Sequence, residues 1–340
     1  MSLLAGQLKR RWLAVWAAAM ALLGWALMTV GAFVRASESG LGCPDWPACH
    51  GQLVVGGHHA MIEEFHRWIA ALLIVGLIGL ALAVFRGHRH ERRLTRPMIW
   101  VLALLALQVV LGGVTVLLRN VSWTVVIHYG AAALLVASIT LLAVRLAFPT
   151  TEPAPRDSFA RLIEWFAWLT FGLLLAGSTV ANTDSQTACG RGFPLCHGSL
   201  LPALNHNVVI NLTHRAWAAA MLALALWVLF RSRRDRADMP AIERAAGVVA
   251  ILYLIQAAIG IAVVGLGENT AIEVLHSSTW SLTWLALMTL LSLTRTLPRR
   301  STRIESHGPL GLNLTAGSST RMGRPTWARP RGAGWTRRVP

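Results

Sequence analysis

The sequence is short of charge. Only 14% of its 340 residues are Asp, Glu, Lys or Arg, against about 25% in an ordinary soluble domain. Acidic residues are the scarcer kind, 15 against 31 basic ones. Lysine is almost missing, and Lys9 is its single representative. The arginine excess reads as genomic composition bias without chemical meaning. Cysteine is rare too, with four residues confined to two short loops. No nucleotide fingerprint for a flavin or nicotinamide is present, so any electron transfer would need an external partner. A length of 340 residues would allow two soluble domains, but the distribution of apolar residues excludes them.

What is present is hydrophobic, 55% of the chain, and it comes in blocks. Eight runs lie near 12–34, 62–85, 98–118, 122–147, 159–182, 207–230, 241–265 and 270–294. Each is long enough to cross a hydrocarbon layer of about 30 Å as a helix. A net charge of +16 invites a nucleic-acid reading. The arginines instead sit in alternate short loops, as the positive-inside rule produces. "KRRW" precedes span 1, and "RGHRHERRLTRP" joins spans 2 and 3. Arg145, Arg156 and Arg161 flank the join of spans 4 and 5, "RSRRDRAD" joins spans 6 and 7, and "RTLPRR" follows span 8. The expected partner is therefore the lipid bilayer, with no nucleic acid. The pattern predicts a multi-pass membrane protein with both termini cytoplasmic and both Cys loops extracytoplasmic. The first run is too long for a signal-peptide core and reads as an anchor. Residues 296–340 are rich in Arg, Pro, Gly, Ser and Thr, which predicts a disordered basic cytoplasmic tail. Its arginines suit anionic lipid head groups.

The chain repeats itself. "GAFVRASESGLGCPDWPACHGQL" is answered by "GSTVANTDSQTACGRGFPLCHGSL". "EEFHRWIAAL" is answered by "NLTHRAWAAA", "QVVLGGVTV" by "QAAIGIAVV", and "VVIHYGAA" by "EVLHSSTW". The intervals agree: 128 − 66 = 62 between His66 and His128, and 276 − 214 = 62 between His214 and His276. Gln108 to His128 and Gln256 to His276 are both 20. The fold class is thus an all-α integral membrane protein of eight transmembrane helices, built as two pseudo-symmetric four-helix bundles in a tandem parallel repeat. The predicted boundaries are a cytoplasmic N-terminus 1–11, a first half 12–147, a linker 148–158, a second half 159–295 and the tail 296–340.

Ionisable side chains inside membrane spans usually mark function. His66 and His128, and His214 and His276, lie on helices that begin at the same side of the membrane. Two imidazoles facing one another inside a four-helix bundle suit axial ligation of a haem. Zinc would usually want further Cys, His or carboxylate ligands, and no such cluster accompanies His128 or His276. The glycines of "LGGVTV" and "IGIAVV" fit either close helix packing or a slot for a flat ligand. Arg67 and Arg215 follow the first His of each pair and suit haem propionates, or else snorkel to the interface. Glu63 lies three residues before His66, on the same helical face, where the second half has Asn211. A carboxylate that serves as base or counter-charge belongs where chemistry happens. Glu64 lies off that face and reads as an interface charge. The cysteines, 6 and 7 positions apart, read as bridges Cys43–Cys49 and Cys189–Cys196 that brace the loops. A redox-active dithiol is the alternative, chiefly for the first pair. His50 and His197 read as hydrogen-bonding residues of these loops.

With "EEFHR…QVVLGG…HYG" and "NLTHR…QAAIG…EVLHSS", and a Cys pair before each half, residues 12–295 resemble the haem A synthase family of the bacterial type with paired loop cysteines. The resemblance implies an oxidoreductase that converts the C8 methyl group of haem O to the formyl of haem A in two successive hydroxylations, for cytochrome oxidase assembly. It implies substrate haem O between His66 and His128, with Glu63 as the catalytic residue, and a b-type haem cofactor on His214 and His276. It also suggests haem O synthase and cytochrome oxidase assembly factors as partners. The residues alone also admit a dihaem b-type electron carrier, or a haem exporter or chaperone. The carrier reading does not explain why only the first half has a carboxylate at the position of Glu63.

Overall fold

A computed structural model describes residues 2–52, 56–149, 156–183, 185–200, 202–267 and 269–297. These form α1 (Ser2–Ala36), α2 (His58–His88), α3 (Arg92–Leu117), α4 (Ser122–Ala147), α5 (Ser158–Ala181), α6 (His206–Asp235), α7 (Pro240–Leu266) and α8 (Thr270–Thr296). No strand is found among the described residues, only one isolated bridge in each Cys loop. A lipid-exposed backbone has to pair all its polar groups within its own segment, and a helix does so.

The helix starts have local causes. Asp157, Asn205 and Asn269 cap α5, α6 and α8, accepting hydrogen bonds from the backbone N–H groups of Ala160, Val208 and Ile272. Each side chain satisfies a donor that the first turn leaves unpaired. α7 begins on Pro240, where a missing N–H is harmless. Several helices outrun the apolar runs that predicted them. α1 begins at Ser2, inside the segment 1–11 expected as a plain terminus, and α3 begins at Arg92 rather than near 98. Helical hydrogen bonding continues through the arginine-rich flanks, which hydropathy cannot register. Most of the linker 148–158 and of the tail 296–340 lies outside the described residues.

α1, α2, α3 and α4 pack in a ring, each on the next and α4 back on α1; α5 to α8 form a second ring. The rings meet through α1, α4, α5 and α8, which places α2, α3, α6 and α7 outermost. The outer helices carry the lipid face. Trp68, Leu72, Val75, Ile78 and Leu82 form one exposed stripe along α2. Inside the first ring, Leu77, Leu80, Leu94, Met98, Ile139 and Leu142 form a fully buried core.

Among the described residues, seven helices are long and apolar enough to cross a membrane; α8 has the length but no run as apolar. Its position accounts for that. It packs on α1, α4, α5 and α7, and it buries Ser281, Thr283 and Thr296, whose hydroxyls bond back to the carbonyls of Ser277, Thr279 and Ser292. A helix covered by protein needs no apolar coat. Polar bonds cross between the rings. The Trp25 indole donates to the Ser278 carbonyl at 3.0 Å, Thr29 and Ser278 pair at 3.0 Å, and the Trp284 indole donates to the Ala133 carbonyl at 2.8 Å. At the end nearest the Cys loops, Arg35 reaches Glu273 at 2.7 Å and the Ala181 carbonyl at 2.9 Å. Interhelical hydrogen bonds in membranes contribute about 0.6 kcal/mol each on average, so the seam acts as a set.

Candidate functional site

Each ring is capped at one end by a Cys loop. Both bridges, Cys43–Cys49 and Cys189–Cys196, are closed, and no free cysteine remains. The repeated Cys-His-Gly has a local cause. His50 and His197 adopt left-handed backbone, φ 52° and 53°, followed by Gly51 and Gly198 at 69° and 78°. Two successive left-handed residues turn the chain sharply, and glycine tolerates the second without a Cβ penalty. The first residue is held by its own ring: His50 Nε2 bonds the Gly42 carbonyl at 3.1 Å, and His197 Nε2 the Ala188 carbonyl at 2.8 Å. The first loop has an added brace. The Asp45 carboxylate accepts from the backbone N–H groups of Gly51 (2.9 Å) and His50 (2.6 Å), which hold it below the usual carboxylate range. The second loop has Arg191 at that place.

The residue three before the first histidine ties helix to loop in both halves. Glu63, 4% exposed, accepts the Cys43 backbone N–H at 2.9 Å and the Arg67 guanidinium at 2.8 Å. Asn211, also 4% exposed, donates to the Ser185 carbonyl at 2.7 Å and the Gln186 carbonyl at 3.3 Å. The carboxylate expected to face the histidine pocket thus meets the first cysteine of the loop. Spacing sets the helical face but not which neighbour lies against it. Glu64, expected as an interface charge, has a shielded Oε2 without a hydrogen-bond partner. It lies within 4.8 Å of the Cys43 and Cys49 sulfurs. Leu212, the corresponding residue, packs beside the second bridge.

The two arginines also part company. Arg67 donates to the carbonyls of Cys43, Asp45, Pro47 and Ala48 at 2.7–3.3 Å as well as to Glu63. Arg215 donates to the Gly192 carbonyl at 3.1 Å and stands 6.0 Å from the Phe193 ring centre. Its Nη2 is buried with no partner.

The histidines lie at matching depth. His66 and His214 are each 8 residues past the start of α2 and α6 (66 − 58, 214 − 206), and His128 and His276 each 6 past α4 and α8 (128 − 122, 276 − 270). At 1.5 Å per residue these are depths of about 12 Å and 9 Å from the loop end. The members of each pair lie within electrostatic reach of each other. α2 and α4 are diagonal in their ring and not in direct contact, as are α6 and α8. Each pair therefore faces across the middle of a bundle, with every ring only half-buried. Gln108 and Gln256 acquire a role that their constant 20-residue interval foreshadowed. The Gln108 amide nitrogen is 3.2 Å from both ring nitrogens of His128, and that of Gln256 is 3.1 and 3.2 Å from those of His276. Near-equal distances place each amide over the ring's face.

Several buried polar atoms here want a partner: Nδ1 of His66 and His214, Oε1 of Gln108 and Gln256, and Nη2 of Arg215. Such atoms are rare in a finished core and call for an explanation. Two imidazoles on diagonal, non-touching helices and, in the second half, a guanidinium with a spare buried donor next in sequence to the first of them fit a flat metalloporphyrin with acidic side arms.

The sequence profile of the cytochrome oxidase assembly proteins, COX15-CtaA, matches residues 14–65, 57–140 and 119–288. The chain belongs to this family. A curated relative named Heme A synthase, from Symbiobacterium thermophilum, is 32% identical over 292 residues, 81% of this chain and 93% of its own. Another of that name, from Shouchella clausii, is 30% identical over 71% of this chain and 83% of its own. A third, from Halalkalibacterium halodurans, is 28% identical over 73% and 85%. All four histidines and all four cysteines fall inside the stretches that the family profile covers. This family involves haem, and the family's chain here is a multi-pass membrane protein.

Proposed function

We propose that this chain is a haem A synthase, an oxidoreductase converting the C8 methyl group of haem O to the formyl of haem A for cytochrome oxidase assembly. One observation carries the reading: two equivalent diagonal histidine pairs in a member of this family, with a carboxylate, Glu63, three residues before the first histidine of one pair where the other has Asn211. The first half, 12–147, takes substrate haem O between His66 and His128. The second half, 159–295, keeps a b-type haem on His214 and His276. When bound, that haem supplies redox chemistry that side chains lack.

The chain's own residues position, shield and neutralise. Arg215 has the free buried donor suited to a propionate. Arg67 has both terminal nitrogens taken by the loop and Glu63, so its part is to hold the Cys43–Cys49 loop over the site. Cys189–Cys196 braces the corresponding cap. Glu63 supplies negative charge one helical turn from His66, beneath the Cys43–Cys49 loop. It either activates a water or stabilises positive charge developing at the methyl carbon. Each hydroxylation exchanges redox equivalents with an external partner. Haem O synthase and oxidase assembly factors stand on either side of the reaction. The arginines of the α2–α3 and α6–α7 connections lie at the end opposite the Cys loops, which supports a plasma membrane with both termini cytoplasmic.

The test is pigment extracted from membranes that express the chain together with a source of haem O. Formyl haem in the chromatographic profile is the expected result. Bound but unaltered haem O would make the chain a carrier or chaperone and overturn the proposal.

A further inference from the structure

Each of the four histidine rings rests on a glycine of the preceding helix. The Cε1 edge of His66 faces Gly31 of α1, that of His128 faces Gly112 of α3, that of His214 faces Gly177 of α5, and that of His276 faces Gly260 of α7. A Cβ on these glycines would stand 3.1, 3.4, 3.0 and 3.1 Å from the respective Cε1 atoms. The glycines obey the repeat: Gly31 and Gly177 each precede the first loop cysteine by 12 residues (43 − 31, 189 − 177), and Gly112 and Gly260 precede their histidines by 16 (128 − 112, 276 − 260). Other helical glycines meet different neighbours. Gly24 faces Val136, Gly76 faces Met20, Gly172 faces Trp217, and Gly265 of α7 has open space.

Cε1 lies between the two ring nitrogens. A wall against it limits rotation of the ring about its bond to the side chain, and so fixes where both nitrogens point. Two such walls in one bundle fix the angle between the imidazole planes. Groups that orient metal ligands in this way tune the metal itself.

We propose that Gly31, Gly112, Gly177 and Gly260 are positioning residues that set the planes of the four histidines at the two haem sites. The proposal rests on the ligation reading above, that His66 and His128 hold one haem and His214 and His276 the other. It is graded. A Cβ at 3.0 or 3.1 Å forces the ring to give way, whereas 3.4 Å at Gly112 is ordinary contact.

The experiment uses the purified full-length protein with its resident haem. Low-spin paramagnetic resonance reads the angle between ligand planes, and a redox titration reads the potential. Gly177→Ala and Gly260→Ala should keep haem while shifting the highest g value and the midpoint potential. Gly265→Ala, in the same helix as Gly260, should superimpose on the parent. With haem O added to fill the first site, Gly31→Ala should shift its signal and Gly112→Ala should not. Unchanged spectra and potentials in Gly177→Ala and Gly260→Ala would overturn the proposal, and if one of them aggregates the other decides. His214→Ala and His276→Ala separate the two levels. If these keep the parent spectrum, the ligation reading fails. If they lose it while the glycine variants are silent, only the positioning role fails.

Discussion

A single position distinguishes the halves most sharply at the residue scale. Glu63 and Asn211 occupy the same place, both buried, and both join their helix to the loop above it. The amide does so by donating and the carboxylate by accepting, so a purely mechanical tie would not require the charge. Arg67 answers that charge at 2.8 Å within a buried setting. If Glu63 serves the reaction, Glu63→Gln should leave the protein folded and the resident haem spectrum intact, because the site proposed for that haem lies in the other half. Conversion should drop by at least ~10²-fold, the lower end for losing a positioned acid–base group. Haem O or a singly hydroxylated product should accumulate. Asn211→Asp should alter the resident haem without creating a second active site. Chromatographic haem profiles beside visible spectra read both variants, and a normal haem A yield from Glu63→Gln would reduce Glu63 to a loop tie.

The two Cys loops are near copies as elements, yet they are braced differently. The first has the Asp45 carboxylate on two backbone donors; the second has no acid there. Those donors favour the ionised form, so the folded loop holds the Asp45 pKa below its unfolded value. The linkage sign follows: the brace is fully present above the unfolded value and is lost as pH falls through the folded one. Hydrogen exchange at the His50 and Gly51 amides should therefore quicken in acid below the ordinary carboxylate range. The Cys189–Cys196 loop should show no matching change. Asp45→Asn should give the faster exchange already at neutral pH. Equal acid sensitivity in the two loops would mean that the bridges and histidine bonds alone hold them.

For the whole molecule, the two rings meet on the four inner helices, and the polar seam from Trp25 to Arg35 joins them without an apolar driving force. The same arrangement sends every Cys loop to one end and the arginine-rich turns to the other. Single cysteines placed at His90, in the α2–α3 turn, and at Leu200, beside the second bridge, are both at exposed positions. A membrane-impermeant thiol reagent applied to intact cells should label Leu200→Cys and spare His90→Cys. Labelling of both from the same side would sink the parallel-repeat topology.

Hydropathy alone determined that this is an all-helical membrane protein, because in hydrocarbon a spanning segment has few other ways to pair its backbone. The matched intervals of 62 and 20 residues determined the repeat and picked out the four histidines. The motifs also carried the family resemblance that the profile match shows. Helix ends were less legible: α1 reaches back to Ser2 through arginines that a hydropathy pattern treats as boundary. Three things were decided only by the tertiary structure. α8 is the described helix without a run apolar enough to span by itself because its neighbours are helices, which no one-dimensional pattern states. Glu63 and Arg67 turn to the loop because the Cys43 amide and four loop carbonyls are brought there by the chain's return. Gly31, Gly112, Gly177 and Gly260 were visible as letters, but a glycine's meaning is the atom that uses its missing side chain. Those atoms, the four imidazole edges, come from helices that only packing sets beside them.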